Sequence, residues 1–282
     1  SSFPFPSVCG LPTIGFSGPR HHPLSTDCDS APMNKAYWND LADRFDASVF
    51  DIAANETSGN LGERIRTLGE NHQTAGDFGC GAGATTALLS NHFDRVVAVD
   101  FAEKLLAAAR KRMSGDNVDF IQSDLSKKAE LPFKVGASFC FNALIHPADK
   151  KRRRIAQSVF RNTETGGSAL FVVPALESYL RIYQTVIECR VQQGTKRSTA
   201  TRSVAKTAGK EIRSLAEGIC DVGGVATKHF MQDEIGQLVS GVGFDVTSVE
   251  RVEFSWSEEL DHFPESLGPP YPWDWMVTAD KP

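Results

Sequence analysis

Short apolar runs alternate with amphipathic segments through the middle of the chain, a pattern typical of strands and helices that follow one another. Runs of branched apolar residues predict strands at Val96–Val99, Val118–Ile121, Val135–Asn142 and Ala169–Val173. Helical spacing of apolar positions predicts helices over Phe101–Met113 and Lys150–Phe160. Strands joined by helices form a parallel sheet that is covered on both faces. The pattern therefore predicts an α/β fold with a doubly wound, mostly parallel sheet.

Further elements are predicted on both sides of this region. Apolar residues spaced three or four apart predict a helix over Asn34–Phe50. From Glu177 to about Gly224 the chain resembles a long polar helical stretch, interrupted by a loop at Gln193–Thr199. The two prolines in Gly268–Tyr271 indicate a turn into an edge strand. The remaining predicted elements are a helix at Gln232–Ser240 and strands at Val246–Phe254 and around Trp275–Ala279.

A glycine-rich turn stands where the first strand of the sheet gives way to a helix. Its sequence runs from Asp77 through Gly79, Cys80 and Gly81 to Gly83. Glycine has no Cβ, so a small ligand can lie directly against such a turn. The next predicted strand ends in Asp100, and an acid at that place is the usual partner of a ribose diol. The arrangement predicts a site for a nucleoside cofactor.

The charges around the turn favour one cofactor over another. Gly79, Gly81 and Ala84 also fit the loose dinucleotide fingerprint. A carboxylate at Asp77 would repel a pyrophosphate, however, whereas S-adenosylmethionine carries a sulfonium and an ammonium and no phosphate. The strand-like run after Val118 ends in Asp124, a third acid that suits a cation. We therefore expect S-adenosylmethionine, with a nicotinamide or flavin dinucleotide, and hence an oxidoreductase, as the alternative.

The residues from about Tyr37 to Asp280 resemble the class I S-adenosylmethionine-dependent methyltransferases, most specifically in the cofactor half. The resemblance implies a Rossmann-like sheet with an antiparallel last strand and a helical cap insertion. It also implies that S-adenosylmethionine is converted to S-adenosylhomocysteine. The chain divides accordingly into a disordered tail or transit remnant (1–32), N-terminal helices with the cofactor-binding core (33–174), the cap (175–228) and the last helix and strands (229–282).

The same resemblance assigns contacts to individual residues. It implies that the turn of Gly79, Cys80, Gly81 and Gly83 packs on the methionine portion, and that Asp77 interacts with the amino-acid end. It places the ribose hydroxyls on Asp100, adenine against Phe101, and the adenine amino group on Asp124 beside Leu125. Finally, it implies that N-terminal aromatic residues, here Tyr37 and Trp38, close over the cofactor, although core packing explains Trp38 equally well.

Acceptor chemistry is predicted from the loop after the fourth strand and from the cap. Asn142 to His146 are expected to face the methyl group, with Asn142 also touching the cofactor. His146 is the candidate general base, because a neutral imidazole can take a proton from a hydroxyl or an amine. Its alternative role is a hydrogen bond to the loop backbone. Tyr179 and Tyr183 are candidate substrate contacts, although an aromatic stripe at helical spacing also suits a core.

Composition limits the partners. With a net charge of −5, the chain lacks the basic excess of most nucleic-acid-binding proteins, so we expect a small-molecule acceptor. The basic run Lys150–Arg154 is expected to be a solvated helix face, or a docking patch if the acceptor is a macromolecule. No apolar run approaches the ~18 residues of a membrane span, and no metal site is predicted. The six scattered cysteines suit a reducing compartment, the cytoplasm or an organelle, and the sequence predicts no oligomeric state.

Overall fold

The computed structural model describes residues 15–16, 33–45, 51–113, 115–127, 129–261, 263–264 and 267–282. The predicted tail therefore lies outside the described residues except for two positions. The end of the predicted Asn34–Phe50 helix, from residue 46 onward, lies outside them as well. Among the helices described, none combines the length and the apolar character needed to cross a bilayer.

The helices are numbered in chain order. They are α1 Lys35–Leu41, α2 Ile52–Asn55, α3 Asn60–Asn71, α4 Ala84–Leu89, α5 Glu103–Arg112, α6 Asp149–Asn162, α7 Leu176–Gln192, α8 Arg197–Glu211 and α9 Gln232–Ser240. Short 3-10 turns at Ala42–Arg44 and Trp256–Glu258 complete the helical elements. Helix α1 begins where the side chain of Asn34 accepts a hydrogen bond from the amide of Tyr37, an ordinary N-cap.

The strands are numbered in the same way. They are β1 Gly15–Phe16, β2 Thr74–Phe78, β3 Arg95–Asp100, β4 Val118–Gln122, β5 Val135–Phe141, β6 Thr163–Pro174, β7 Ile212–Ser214, β8 Ile219–Val222, β9 Val225–Lys228, β10 Asp245–Glu253, β11 Leu260–Asp261 and β12 Trp273–Asp280. The predicted strands and helices of the central region all form, with ends displaced by a few residues. The largest displacement is in β6, which begins six residues before the predicted Ala169.

Seven strands make one sheet in the order β10-β12-β6-β5-β2-β3-β4. Neighbouring strands from β6 to β4 pair in parallel, and β12 is antiparallel to both of its neighbours. This confirms the predicted fold class, including the antiparallel last strand. The order reverses between β2 and β5, and ligands of open α/β sheets bind beyond the carboxyl ends of strands at such a point.

Apolar side chains on the two faces of the sheet form two separate core clusters. One contains Phe171, Phe244 and Trp275 with α6 and α9, and the other contains Ile65, Phe139 and Met276 with α3. Strand β5 is buried along its whole length, as expected of a strand covered on both faces. The rigid middle of this sheet fixes the ends of β2, β3 and β5, where the candidate site lies.

Two expectations about the second half of the chain were wrong. The stretch predicted to stay helical to Gly224 ends its helices at Glu211, and β7, β8 and β9 then form a three-stranded antiparallel sheet. Glycines at 218, 223 and 224 have positive φ, so they supply the turns of this meander. The strand after the two prolines, β12, is not at the edge, because β10 pairs on its outer side.

Candidate functional site

The glycine turn after β2 is shaped by three left-handed glycines. Gly79, Gly81 and Gly83 have φ of +89°, +53° and +84°. A Cβ added at Gly79 would lie 2.6 Å from the Cβ of Ala143, and one at Gly81 would lie 2.7 Å from the ring of Phe45. Both positions therefore need glycine for conformation and for space. The turn keeps its backbone bare on the side that faces the cleft.

The acid at the end of β3 is held by the backbone around it. Asp100 Oδ2 accepts a hydrogen bond from the Gly81 amide at 3.1 Å, and its Oδ1 accepts one from the Ala102 amide at 2.8 Å. Burial raises the pKa of this carboxyl, and the backbone donors oppose that rise. The carboxylate is thus oriented by main-chain donors, and the lone pairs that these donors do not use can accept a donor from a ligand.

A second acid lies beneath the turn. Asp77 is buried and its Oδ2 accepts the hydroxyl of Thr86 at 2.6 Å. Burial raises the pKa of Asp77 to about 7; the Thr86 hydrogen bond lowers it and the nearby charge of Asp100 adds to the rise. A positively charged group close to this pair of acids would therefore be stabilised.

These elements border a cleft of about 300 Å³. Of the residues predicted from sequence, it is lined by Trp38, Gly79, Gly81, Asp100, Phe101, Asp124, Leu125, Asn142, Ala143, Ile145 and His146. Leu144 is buried and is not among the lining residues. The cleft runs from the carboxyl ends of the central strands to helix α6, where Lys151 and Ile155 complete its wall. The structure thus brings together residues that are widely separated in the sequence.

Four further residues predicted to contact the cofactor are not among the residues that line this cleft. Tyr37 packs edge-on against Trp38, with ring centroids 5.1 Å apart. Cys80 is buried in a small cluster with Ala98 and Leu106. Gly83 lies against Ala109, and Asp77 lies under the turn as described. The cofactor contacts predicted for these four residues stay predictions.

The third acid keeps its charge. Burial alone would raise the pKa of Asp124, but hydrogen bonds from the amide and hydroxyl of Ser126, with the nearby Lys127, bring it below its usual value. Asp124 Oδ1 receives both Ser126 donors, at 3.0 and 2.6 Å. The acid therefore stands at the cleft as a fixed anion with Oδ2 turned to Lys127 at 3.6 Å.

The loop after β5 begins with a strained residue. Asn142 has φ of +51°, a left-handed conformation that asparagine tolerates better than most residues. Its amide donates to the carbonyl of Val172 at 2.8 Å, which ties the loop to the sheet. The side-chain oxygen of Asn142 is buried and has no hydrogen-bond partner among the described residues. Such an oxygen at the wall of a cleft is suited to accept a donor from a ligand.

His146, further along this loop, lies between two hydrogen-bond donors. Its Nδ1 accepts the amide of Ala148 at 2.9 Å, and its Nε2 lies 3.1 Å from Nζ of Lys151. Burial lowers the pKa of the imidazole to about 4, and the charges of Lys151 and Arg152 contribute. The backbone hydrogen bond named as the alternative role is therefore present. The general-base role of His146 stays a prediction.

Sequence reasoning missed the residue that holds this loop in place. Arg152 is buried, which corrects the expectation that the whole run Lys150–Arg154 is a solvated face. Its guanidinium donates to the carbonyls of His146 at 2.8 Å and Pro147 at 2.6 Å. The other four members of the run are exposed. The sequence pattern could have indicated that Arg152 is buried, because residues 152, 156 and 159 share one helical face and the latter two are apolar.

The two candidate tyrosines of the cap lie in its apolar core, which is the alternative position that their helical spacing also suited, and the substrate contacts named for them stay predictions. Tyr179 and Tyr183 are both buried in the apolar core of the cap, and neither is among the described residues that line the cleft. The hydroxyl of Tyr183 donates to a carboxylate oxygen of Glu211, and the two tyrosine hydroxyls are 3.3 Å apart. The aromatic stripe is therefore placed in the core, as stripes at helical spacing usually are.

Comparison with known proteins agrees with this geometry. Residues 76–167 match the family described as a methyltransferase domain. Malonyl-[acyl-carrier protein] O-methyltransferase 2 of Coxiella burnetii is 30% identical over 108 residues, which are 38% of this chain and 43% of that protein. The chain thus matches less than half the length of this curated relative.

Solved structures share the fold over most of the chain. Magnesium protoporphyrin IX methyltransferase (ChlM) from Synechocystis PCC 6803, with bound S-adenosylhomocysteine, superposes with a TM-score of 0.53 at 13% identity, covering 88% of this chain and 99% of that one. The complex of DhpI with S-adenosylhomocysteine superposes with a TM-score of 0.52 at 18% identity, covering 88% of this chain and 94% of that one. The fold is thus the Rossmann-like fold of methyltransferases. Within it, residues 76–167 are the part of the chain that matches a methyltransferase domain.

Proposed function

We propose that this protein transfers a methyl group from S-adenosylmethionine to a small-molecule acceptor. One observation carries the proposal: the carboxylate of Asp100, oriented by the Gly81 and Ala102 amides, lines the same cleft as the bare glycine turn. A paired acceptor of this kind suits the two hydroxyls of a ribose. Both solved neighbours named above were determined with S-adenosylhomocysteine.

The described residues fit the cofactor at each of its parts. Asp100 would hold the ribose hydroxyls, Phe101 and Leu125 would pack on the adenine, and Asp124 would accept its amino group. The glycine turn and the unpartnered Asn142 oxygen would face the methionine portion, over the buried Asp77. When bound, S-adenosylmethionine supplies a methyl group on a positively charged sulfur, which an electron pair of the acceptor can attack. The same acids disfavour a pyrophosphate, which argues against the oxidoreductase alternative.

The protein's own contribution is alignment and exclusion of water. The Asn142–Pro147 loop borders the acceptor half of the cleft, and its shape is fixed by three bonds to its carbonyls: two from Arg152 and one from the Lys228 amide to Ile145 at 2.8 Å. A rigid loop holds an acceptor in line with the methyl group. The cap, residues 175–228, meets this loop through the Lys228 amide, and movement of the cap towards the acceptor would limit water access.

A small acceptor is supported by the volume of the cleft, about 300 Å³, and by the net charge of −5. The names of the relative and of ChlM specify a malonyl group on an acyl-carrier protein and a magnesium porphyrin as acceptors. Among the described residues, the exposed lysines and arginines of α6 would favour a macromolecular acceptor instead.

The proposal is tested by incubating the pure protein with methyl-labelled S-adenosylmethionine and separate pools of acceptors. The pools are small carboxylates, amines, phenols and thiols, with transfer RNA and whole-cell protein as macromolecular arms. We expect label in a small-molecule pool, lost in Asp100→Asn and retained in the matched control Asp119→Asn, an exposed acid on the neighbouring strand β4. Label only in RNA or protein would contradict the small-molecule acceptor. No transfer to any pool, without cofactor binding, would contradict the methyltransferase.

A further inference from the structure

We propose that His146 and Lys151 together bind an anionic oxygen group, a carboxylate, of the methyl acceptor. The inference rests on the proposed function and names the class of its substrate. It assigns His146 the role of a hydrogen-bond donor in place of a general base. The argument starts from the proton on the imidazole ring.

The tautomer of His146 is set by its backbone partner. The Ala148 amide can only donate, so Nδ1, 2.9 Å away, must present its lone pair. The ring is neutral around pH 7, since burial and the neighbouring Lys151 and Arg152 lower its pKa to about 4. A neutral imidazole whose Nδ1 accepts carries its proton on Nε2. Nε2–H is therefore a donor.

The partner that faces this donor is itself a donor. Nζ of Lys151 lies 3.1 Å from Nε2, and an ammonium group has three N–H donors and no acceptor. Two donors in contact have no acceptor between them, and because Lys151 is exposed at the cleft, a ligand can reach both N–H groups. Among the described residues, no carboxylate lies within ion-pair distance of Lys151. An anionic oxygen placed against both groups would satisfy them and neutralise the ammonium.

The position of His146 and Lys151 in the cleft indicates which substrate carries the anionic group. His146 and Lys151 line the cleft together with Asn142 and Ile155, on the loop after β5 and on α6. Asp100 and Asp124 line the end formed by β3 and the loop after β4. The cleft therefore has an acidic end, suited to the cationic cofactor, and a basic end. An anion at the basic end belongs to the second substrate, and a carboxylate matches two converging N–H donors.

The test uses the full chain saturated with S-adenosylhomocysteine, whose binding is measured first. Acetate, benzoate and octanoate are then titrated, each beside its neutral amide, while the ¹⁵N and ¹H signals of His146 are followed by NMR. We expect at least one carboxylate to bind and to shift the Nε2–H signal, with its amide binding about tenfold more weakly, the size of one charge-assisted hydrogen bond. Lys151→Gln should weaken binding of the carboxylate by a similar factor, and Lys151→Arg should restore most of the affinity.

The matched control is Lys150→Gln, which removes an exposed charge one residue away on the same helix. If Lys150→Gln weakens binding of the carboxylate as much as Lys151→Gln does, the effect comes from the overall positive charge of the surface, and the inference is wrong. Equal binding of amides and carboxylates, or no binding of any carboxylate to a protein that binds S-adenosylhomocysteine, would also overturn it. Failure to bind S-adenosylhomocysteine would instead overturn the proposed function.

Discussion

The amide of Gly81 donates a hydrogen bond to Oδ2 of Asp100 across 3.1 Å, joining the glycine turn after β2 to the end of β3. The acid that would hold a ribose is thereby fixed relative to the backbone that would face the methionine portion. Because the Ala102 amide holds the other oxygen, the carboxylate cannot rotate without losing a bond to the main chain. Hydrogen bonds thus hold the two halves of the candidate cofactor site in a fixed position relative to each other.

Replacement of Asp100 by Asn is expected to weaken S-adenosylhomocysteine binding about 100-fold. The amide keeps the size of the carboxylate but gives up one acceptor oxygen and the charge, and hydrogen bonds to charged groups contribute roughly 1.5–3 kcal/mol each. Calorimetric titration measures the affinity. Asp119→Asn is the control, since Asp119 pairs with Arg95 on the exposed side of β4. Equal affinity of Asp100→Asn and wild type would show that the nucleoside lies elsewhere.

Replacement of Gly79 by Ala is expected to lower stability by roughly 2–4 kcal/mol and to reduce cofactor affinity. The φ of +89° strains any side chain, and the added methyl would meet Ala143 at 2.6 Å. Gly62→Ala is the matched control, because this helical glycine has open space around it and should gain up to about 1 kcal/mol. Urea unfolding measures both variants. A Gly79→Ala protein as stable as Gly62→Ala would contradict the described turn.

The buried Asp77 predicts a pH dependence of stability. Its folded pKa of about 7 lies above the ordinary 3.8, so the native state binds more protons between these values and is destabilised as pH rises through them. Asp77→Asn removes this pH-dependent contribution to the stability. We expect Asp77→Asn to gain roughly 3 kcal/mol relative to wild type between pH 5 and pH 8, since one pKa unit corresponds to about 1.4 kcal/mol. A stability difference that does not change with pH would show that the carboxyl has an ordinary pKa.

Replacement of Tyr183 by Phe separates a structural from a catalytic role. The variant loses the hydrogen bond to Glu211 inside the cap, which we expect to cost about 1–3 kcal/mol of unfolding free energy. Because Tyr183 lies outside the lining of the cleft, the methyl-transfer rate should stay within about threefold of wild type. A large loss of kcat with unchanged stability would support the substrate contact that the sequence suggested for this residue.

The central sheet could be predicted because its signals are local. Runs such as Val96–Val99 and Val135–Asn142 are buried on both faces, so their apolar character is continuous. The position of β12 could not be found in this way, since a proline turn says nothing about which strand pairs on the far side. The meander after Glu211 was also missed, because its strands are three or four residues long and polar in part.

The acids and glycines of the site could be predicted from their places at strand ends, and the structure brings Asp100, Asp124 and the turn to one cleft. The hydrogen bonds of individual side chains could not be predicted from the sequence. Arg152 sits in a run of five basic residues, and only the fold shows that it faces loop carbonyls while its neighbours face solvent. The state of His146 likewise depends on Ala148 and Lys151, whose approach no spacing rule describes.

The central claim is tested most directly by calorimetric titration of the wild-type protein with S-adenosylhomocysteine and, separately, with NADH. The acids at the ends of β2, β3 and β4 predict binding of the nucleoside at micromolar concentrations and no heat from the dinucleotide. Binding of NADH, with no response to S-adenosylhomocysteine, would reassign the glycine turn to a pyrophosphate and contradict the methyltransferase.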